Sequence, residues 1–155
     1  EIIGFTIKGG NDGISCMGNA NTIENYEAYA LPERVDVINN TFVGNTWGLL
    51  GGKNMAVLNN IFVGTRNAAV KNVGGNSVLS HNLFRSNGSD FEGSNVDIDS
   101  TLQQNPLRTS DYRLKVGSPC ADAGTALFKF MGELIKVTPG SYLGPRPDPG
   151  AFELN

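Results

Sequence analysis

The chain has 155 residues, with 12 Lys and Arg against 15 Asp and Glu, and a formal net charge of -3. Its length is typical of one domain, and a charged fraction of only 17% leaves no basic stripe for nucleic acid. No apolar run approaches the roughly 18 residues of a membrane-spanning helix. We therefore expect no nucleic-acid partner and no membrane insertion. Gly (20) and Asn (18) are abundant, and since both tolerate left-handed backbone conformations, many tight turns are expected.

A repeated segment organises the first 92 residues. Its copies begin at Ile2, Val37, Val57 and Leu79, at intervals of 35, 20 and 22 residues. Each copy alternates apolar and other residues, which is typical of a strand, and bends before a second strand, a turn and a third strand. A period near 20 indicates a stacked architecture. Three short strands and three turns per period predict one coil of a single-stranded parallel β-helix.

Stacked coils superpose their equivalent residues, so columns of identical side chains are expected to have structural roles. Two columns are predicted, an Asn ladder at the bend and a Phe stack inside: Asn40, Asn60 and Asn82, and Phe42, Phe62 and Phe84. His81 is the only His, and it stands where two other copies have Asn39 and Asn59. We interpret it as a turn residue and not as a catalytic base.

The long first interval indicates an insertion over residues 18–34. Thr22 fits the N-cap of a short helix that Pro32 would end. Tyr26 and Tyr29 of this insertion, with Trp47, are candidates for an aromatic platform under a pyranose ring. The alternative is that the inserted loop packs over Trp47 as a small apolar cluster.

Residues 93–155 lose the repeat and carry six of the seven prolines. We interpret them as an irregular cap packed on the same solenoid, because an exposed last coil would leave strand edges unpaired. The apolar spacing over residues 127–135 fits either a helix or a pair of strands. Cys16 and Cys120 are too few for a disulfide framework, and they are either one disulfide or two buried thiols.

The tail carries a family resemblance. Residues 111–124, DYRLKVGSPCADAG, followed by residues 146–153, RPDPGAFE, resemble the C-terminal signature of right-handed parallel β-helix proteins in the pectate-lyase-like superfamily, in the form often called a choice-of-anchor Q domain. The resemblance implies an all-β, right-handed solenoid of about four coils (residues 1–92) with a C-terminal cap (residues 93–155). It also implies polysaccharide as the partner and an extracellular or cell-surface location, although the chain contains no signal segment. The superfamily includes lyases, glycoside hydrolases and adhesins, so the fold does not choose the function.

In the lyases that the chain resembles, the substrate lies along the face of the third strands. Alternation predicts that the inward residues of these strands are Ile14, Leu49, Ala69 and Phe91. Outward positions in the first three copies are then small or apolar. Only the fourth copy offers two carboxylates on one strand face, Asp90 and Glu92, about 6–7 Å apart. This pair suits a Ca²⁺ site or an acid and base pair, and the alternative is a solvated strand edge.

A polysaccharide lyase also needs a Lys, Arg, His or Tyr base, and Lys71 is the catalytic candidate of this type. Further candidates for substrate binding lie in or near turns, where solvated charges are the alternative interpretation: Lys53, Arg66 and Arg85. Ca²⁺ is the candidate cofactor.

We therefore expect the C-terminal portion of an extracellular polysaccharide-active β-helix protein of the polysaccharide lyase or glycoside hydrolase type. This portion is expected to be mainly structural or carbohydrate-binding, and the alternative is a non-catalytic surface or adhesive β-helix protein. The first coil has no cap, so Ile2, Phe5 and Ile7 are predicted to be partly exposed. They would be available to upstream coils of a longer chain or to self-association.

Overall fold

The computed structural model describes residues 1–16, 34–138 and 140–154. The predicted insertion, with its helix, Tyr26 and Tyr29, lies outside the described residues except for Arg34. In chain order the described elements are β1 (Ile2–Ile3), β2 (Thr6–Lys8), β3 (Asp12–Ser15), β4 (Val35–Ile38), β5 (Thr41–Val43), β6 (Trp47–Leu50), β7 (Met55–Leu58), β8 (Ile61–Val63), β9 (Ala68–Lys71), β10 (Val78–Ser80), β11 (Leu83–Arg85), β12 (Ser89–Glu92), a 3-10 helix (Ile98–Ser100), β13 (Leu127–Phe130) and β14 (Glu133–Lys136).

The first twelve strands form three parallel four-stranded sheets. Sheet 1 contains the first strand of each repeat, in the order β1-β4-β7-β10. Sheet 2 has the order β2-β5-β8-β11, and sheet 3 has the order β3-β6-β9-β12. All neighbouring strands in these sheets pair in parallel. The all-β class and the parallel stacking of equivalent strands are confirmed, and the architecture is solenoid-like.

One apolar core lies between the three sheets. Val37 of sheet 1, Phe42 of sheet 2 and Leu49 of sheet 3 belong to it and are fully buried. The ring centroids of Phe42 and Phe62 are 4.5 Å apart, and those of Phe62 and Phe84 are 5.1 Å apart, with nearly parallel planes. Each buried Phe contributes about 1.5–3 kcal/mol by leaving water, so this column is a main source of the stability of the stack.

The bend between sheets 1 and 2 is held by side-chain amides. Asn40 Nδ2 donates to Asn60 Oδ1 at 3.1 Å, and Asn60 Nδ2 donates to Asn82 Oδ1 at 3.0 Å. The same Oδ1 atoms accept the main-chain N–H groups of Asn40 and Asn60 at 2.9 and 2.8 Å. Repeat 1 has Phe5 here, and its N–H donates to Asn40 Oδ1 at 2.9 Å. These buried groups are therefore satisfied by one another, which fixes the vertical register of the repeats.

The preceding column, which includes Asn39 and Asn59, points outward and binds the C-terminal segment. Both residues have left-handed backbones, with φ of 53° and 54°. Asn59 Nδ2 donates to Thr125 O, and its Oδ1 accepts Thr125 N–H, both at 2.9 Å. Asn39 Nδ2 donates to Asp148 O at 2.7 Å. In each Asn-Asn pair, the first Asn therefore binds the C-terminal segment and the second stabilises the bend.

The C-terminal segment covers the outer faces of two sheets. The hairpin β13–β14 packs Phe128, Phe130 and Ile135 against the apolar outer side of sheet 1. The tail packs Leu114 and Cys120 against Ile61 and Leu83 on the outer side of sheet 2. Residues 127–135 therefore form the pair of strands and not the helix. Cys16 and Cys120 are both free, and burial raises the pKa of the Cys120 thiol to about 12.

The two ends of the stack differ. At the end of the fourth repeat, bridges Leu79–Val96 and Leu83–Leu102 extend sheets 1 and 2 into the following segment. At the opposite end β1, β2 and β3 are edge strands of their sheets. Phe5 is 58% exposed there, and Ile2 and Ile7 are half-buried. The described part of the chain has no helix with the length and hydropathy of a membrane span.

Candidate functional site

The third strand of the third repeat is shifted by one residue from its prediction. The register of sheet 3 aligns the inward residues of the four repeats, which are Ile14, Leu49, Val70 and Phe91. Val70 therefore occupies the column that was assigned to Ala69, and the predicted alternation is wrong here. Lys71 consequently joins the outward column, paired with Leu50 on one side and Glu92 on the other.

The physical cause is one extra residue in this repeat. Five positions separate Thr65 from the inward Val70, whereas four separate Asn45 from Leu49 and Asn87 from Phe91. The extra residue lies near Asn67, which still donates its N–H to Thr46 O at 2.9 Å. One additional residue opposite a regular strand is a bulge, and it redirects the side chains that follow. This bulge places Lys71 on the outer face.

The outer face of sheet 3 carries a shallow cleft of about 370 Å³. It brings together four predicted site residues and three neighbours: Trp47, Arg66, Lys71 and Glu92, with Asn67, Gly88 and Ser89. The four come from β6, β9, β12 and the bulge before β9. We refer to this cleft as the sheet 3 cleft.

Two contacts organise the sheet 3 cleft. Lys71 Nζ lies 3.0 Å from Glu92 Oε2 and 5.1 Å from the centroid of the Trp47 ring. The hydrogen bond from Lys71 lowers the pKa of the Glu92 carboxyl, with further help from the Lys71 charge and Ser89. Glu92 is therefore ionised at neutral pH and can accept hydrogen bonds. The exposed guanidinium of Arg66 forms no ion pair or side-chain hydrogen bond with any described residue, which leaves its donors for a ligand.

Asp90 has hydrogen-bond partners of its own and does not line the sheet 3 cleft. Its Oδ1 accepts from Asn87 Nδ2 at 3.0 Å, and its Oδ2 accepts from Gln103 Nε2 at 2.8 Å. Ca²⁺ takes six to eight oxygen ligands, and Asp90 and Glu92 offer two carboxylates with separate partners, so the Ca²⁺ site stays a prediction. Within residues 1–16, 34–138 and 140–154, no group of three or more His, Cys, Asp or Glu side chains could hold a metal ion.

The remaining candidates lie apart from the sheet 3 cleft. Lys53 lines a different cleft of about 320 Å³, with Gly51, Gly52 and Asn72. Arg85 is exposed at the end of β11 in sheet 2. Tyr26 and Tyr29 lie outside the described residues, so the aromatic platform stays a prediction.

His81 is part of a second polar cluster. Ser80 Oγ lies 2.7 Å from His81 Nδ1 and donates to Asp97 Oδ2, also at 2.7 Å. Burial lowers the pKa of His81; the Asp97 charge opposes this shift and the Arg146 charge adds to it. Ser80 is fully buried and is thus out of reach of a substrate. His81 has the left-handed backbone of its column, with φ of 55°, as a turn residue requires.

Sequence reasoning missed a second column of amides, at the bend between sheets 2 and 3. Asn45 Oδ1 accepts Gly10 N–H, and its Nδ2 donates to Ile7 O, both at 3.0 Å. Asn87 Oδ1 accepts Thr65 N–H at 2.9 Å, and its Nδ2 donates to Phe62 O at 3.1 Å. The signal was visible, since Asn45 and Asn87 each follow a ladder Asn by five residues.

No protein-family model, no curated protein and no solved structure matches the chain.

Proposed function

We propose that the chain is the C-terminal four-coil portion and cap of an extracellular, right-handed parallel β-helix, and that it binds polysaccharide in the sheet 3 cleft. Two observations support the fold: the stacked parallel sheets, and the resemblance of residues 111–124 and 146–153 of this chain to the endings of β-helix proteins. Sheet 3 is the face along which the lyases that the chain resembles hold their substrates. A location outside the cell agrees with such a ligand.

The observation that carries this proposal is the grouping of Trp47, Arg66, Lys71 and Glu92 in one open cleft. A half-buried Trp offers an apolar ring against which the C–H face of a sugar packs. Arg66 supplies unpaired donors for a carboxylate or hydroxyl oxygen. The pair formed by Lys71 and Glu92 supplies both a donor and an acceptor for ring hydroxyls.

The same geometry favours binding over catalysis in this portion. A glycoside hydrolase needs one protonated carboxyl as its general acid, whereas the pKa of Glu92 is lowered and Asp90 is held by Asn87 and Gln103. Lys71 would have to leave Glu92 to act as a lyase base. We therefore assign the reaction of a polysaccharide-active parent to further coils. The alternative is a non-catalytic surface or adhesive β-helix protein. The hydrogen bonds of Asp90 to Asn87 and Gln103 favour it as well, because they occupy a candidate catalytic carboxylate.

Fluorescence of Trp47, the single Trp of the chain, tests the proposal. Oligogalacturonate, alginate oligosaccharides and a neutral glucan are titrated with and without Ca²⁺. The anionic glycans are expected to shift the emission, and Arg66→Gln is expected to weaken binding about tenfold through loss of a charge-assisted hydrogen bond. Arg85→Gln, which removes an exposed cation from sheet 2, is the matched control. No response to any glycan, or equal losses in both variants, would contradict the proposal.

We also propose that the edge formed by β1, β2 and β3 pairs with another coil. Its strands pair with no described strand on their outer side, and unprotected edges of this kind favour added strands. The partner is either an upstream coil of a longer chain or a second copy. Sedimentation of the chain over a wide concentration range distinguishes these two partners. A chain that stays monomeric at all concentrations would exclude a second copy as the partner.

A further inference from the structure

The hairpin β13–β14 has two faces of different chemistry. Its pairing places Leu127 opposite Lys136 and Lys129 opposite Leu134. Directly opposite residues of an antiparallel pair share one face, as do alternate residues of a strand. These four side chains therefore form one surface, and Met131 lies at the turn beside it. We refer to these five residues as the hairpin outer face.

The inner face already accounts for the attachment of the hairpin to the stack. Phe128, Phe130 and Ile135 pack against sheet 1, where Ile38 and Leu58 are buried. Glu133 also belongs to the inner side, and its Oε2 accepts a hydrogen bond from Arg34 Nη1 at 2.5 Å. The hairpin is thus fixed by contacts that leave the outer face unused.

The outer face combines exposed apolar groups with unpaired positive charge. Leu127, Leu134 and Met131 are 58%, 52% and 68% exposed. Lys129 and Lys136 form no ion pair with any described residue, whereas Arg34 pairs with both Asp36 and Glu133. Two unpaired cations therefore alternate with two leucines, on a chain whose net charge is -3. Exposed apolar groups bordered by polar ones mark interaction surfaces.

We infer that the hairpin outer face docks on an anionic lipid surface. Charge complementarity requires a negative partner, and the leucines and Met131 require that partner to accept apolar side chains. The clefts at sheet 3 and at Lys53 include no residue of the hairpin outer face. A lipid headgroup region needs no groove, because Lys side chains contact the headgroups while neighbouring apolar groups enter the acyl boundary. This docking is peripheral and involves no spanning segment.

Co-sedimentation with vesicles tests the inference. The whole chain is mixed with vesicles of phosphatidylcholine containing about one third phosphatidylglycerol, and with vesicles of phosphatidylcholine alone. Binding is expected only to the anionic vesicles and is expected to weaken with salt. Each Lys near such a surface contributes about fivefold in affinity, so the variant with Lys129→Gln and Lys136→Gln should lose roughly 25-fold. The variant with Leu127→Ser and Leu134→Ser should lose at least about tenfold.

The control variant removes a cation and an exposed apolar side chain at a site outside the hairpin. Lys115→Gln with Val116→Ser takes away one cation and an 86% exposed apolar side chain outside the hairpin, and binding should be unchanged. Circular dichroism verifies that each variant is folded. Equal binding to both vesicles, absence of binding, or hairpin variants that bind like the parent chain would overturn the inference. So would binding of an acidic amphipathic peptide through the same residues without binding to vesicles.

Discussion

At the scale of single residues, His81 shows how one substitution in a column changes its chemistry. Asn39 and Asn59 of the same column bind the tail through neutral amides, whereas His81 can titrate. Burial lowers its pKa from 6.5, while Asp97 raises it and Arg146 lowers it. As the pH falls, His81 is therefore protonated at a higher pH in the unfolded chain than in the folded chain. The stability that the neutral ring contributes is complete above pH 6.5 and is lost as the pH falls through 6.5 to the folded-state pKa.

Replacing His81 with Asn tests this linkage. Asn accepts the left-handed backbone, as the φ values of Asn39 and Asn59 show. Between pH 7.5 and 5.5, the free energy of unfolding should fall less in His81→Asn than in the parent chain. The difference should be below about 1 kcal/mol, because solvent screens the half-exposed ring. Urea titrations at several pH values measure it. Parallel curves for both chains would contradict the assignment.

Thr65 interrupts the amide column at the bend between sheets 2 and 3. Its Oγ1 is buried and has no hydrogen-bond partner among the described residues, while the Asn45 and Asn87 side chains above and below it each make two bonds to the main chain. Thr65→Asn should supply the missing amide and raise the free energy of unfolding by about 1 kcal/mol. Asn87→Ala should lower it by a similar amount. A Thr65→Asn chain with a lower urea midpoint than the parent would show that the site cannot hold the larger side chain.

At the scale of elements, repetition made the inner half of the fold predictable. Phe42, Phe62 and Phe84 recur at intervals of 20 and 22 residues, as do the Asn residues of the bend. Stacked repeats superpose such recurring residues, so both sets were predicted to form columns. The shift at Val70 was not predictable from alternation, since the extra residue near Asn67 becomes visible only when neighbouring strands fix the register. The sheet 3 cleft depends on that shift. Residues 127–135 occur once, so no column could choose between helix and strands, and the contact of Phe128 and Ile135 with sheet 1 decided it.

The attachment of the tail to the stack depends on Asn59. Its side chain makes two bonds to Thr125 and one to Asn39 Oδ1 at 3.3 Å. Asn59→Gly keeps the left-handed backbone and removes only these bonds, so it should cost about 1–3 kcal/mol. Asn59→Ala should cost about 1 kcal/mol more, because Ala is strained at positive φ. Urea unfolding gives both values. Equal stability of Asn59→Gly and the parent chain would mean that the tail is held elsewhere.

At the scale of the whole molecule, the cap explains where a ligand can bind. The described residues form one internal apolar cluster and two external ones, with the hairpin on sheet 1 and the tail on sheet 2. On the outer face of sheet 3 the described residues form no such cluster, and this face carries the cleft with Trp47 and Arg66. The cap thus covers the outer faces of sheets 1 and 2, and the cleft lies on the outer face of sheet 3. The hairpin in turn brings its own exposed face to the side opposite its contact with sheet 1.

The stack should also lose its structure unevenly, because each repeat is stabilised mainly by its neighbours. Strands β7, β8 and β9 have a neighbour on both sides, whereas β1, β2 and β3 have one. Native-state hydrogen exchange should therefore show the slowest amides in β7–β9 and the fastest in β1–β3. Ile7→Lys at the edge should speed exchange in β1–β3 and leave β7–β9 nearly unchanged, while Phe62→Ala, at a cost of about 3–5 kcal/mol, should speed both. Uniform protection in all six of these strands would instead mean that the stack opens as one cooperative unit.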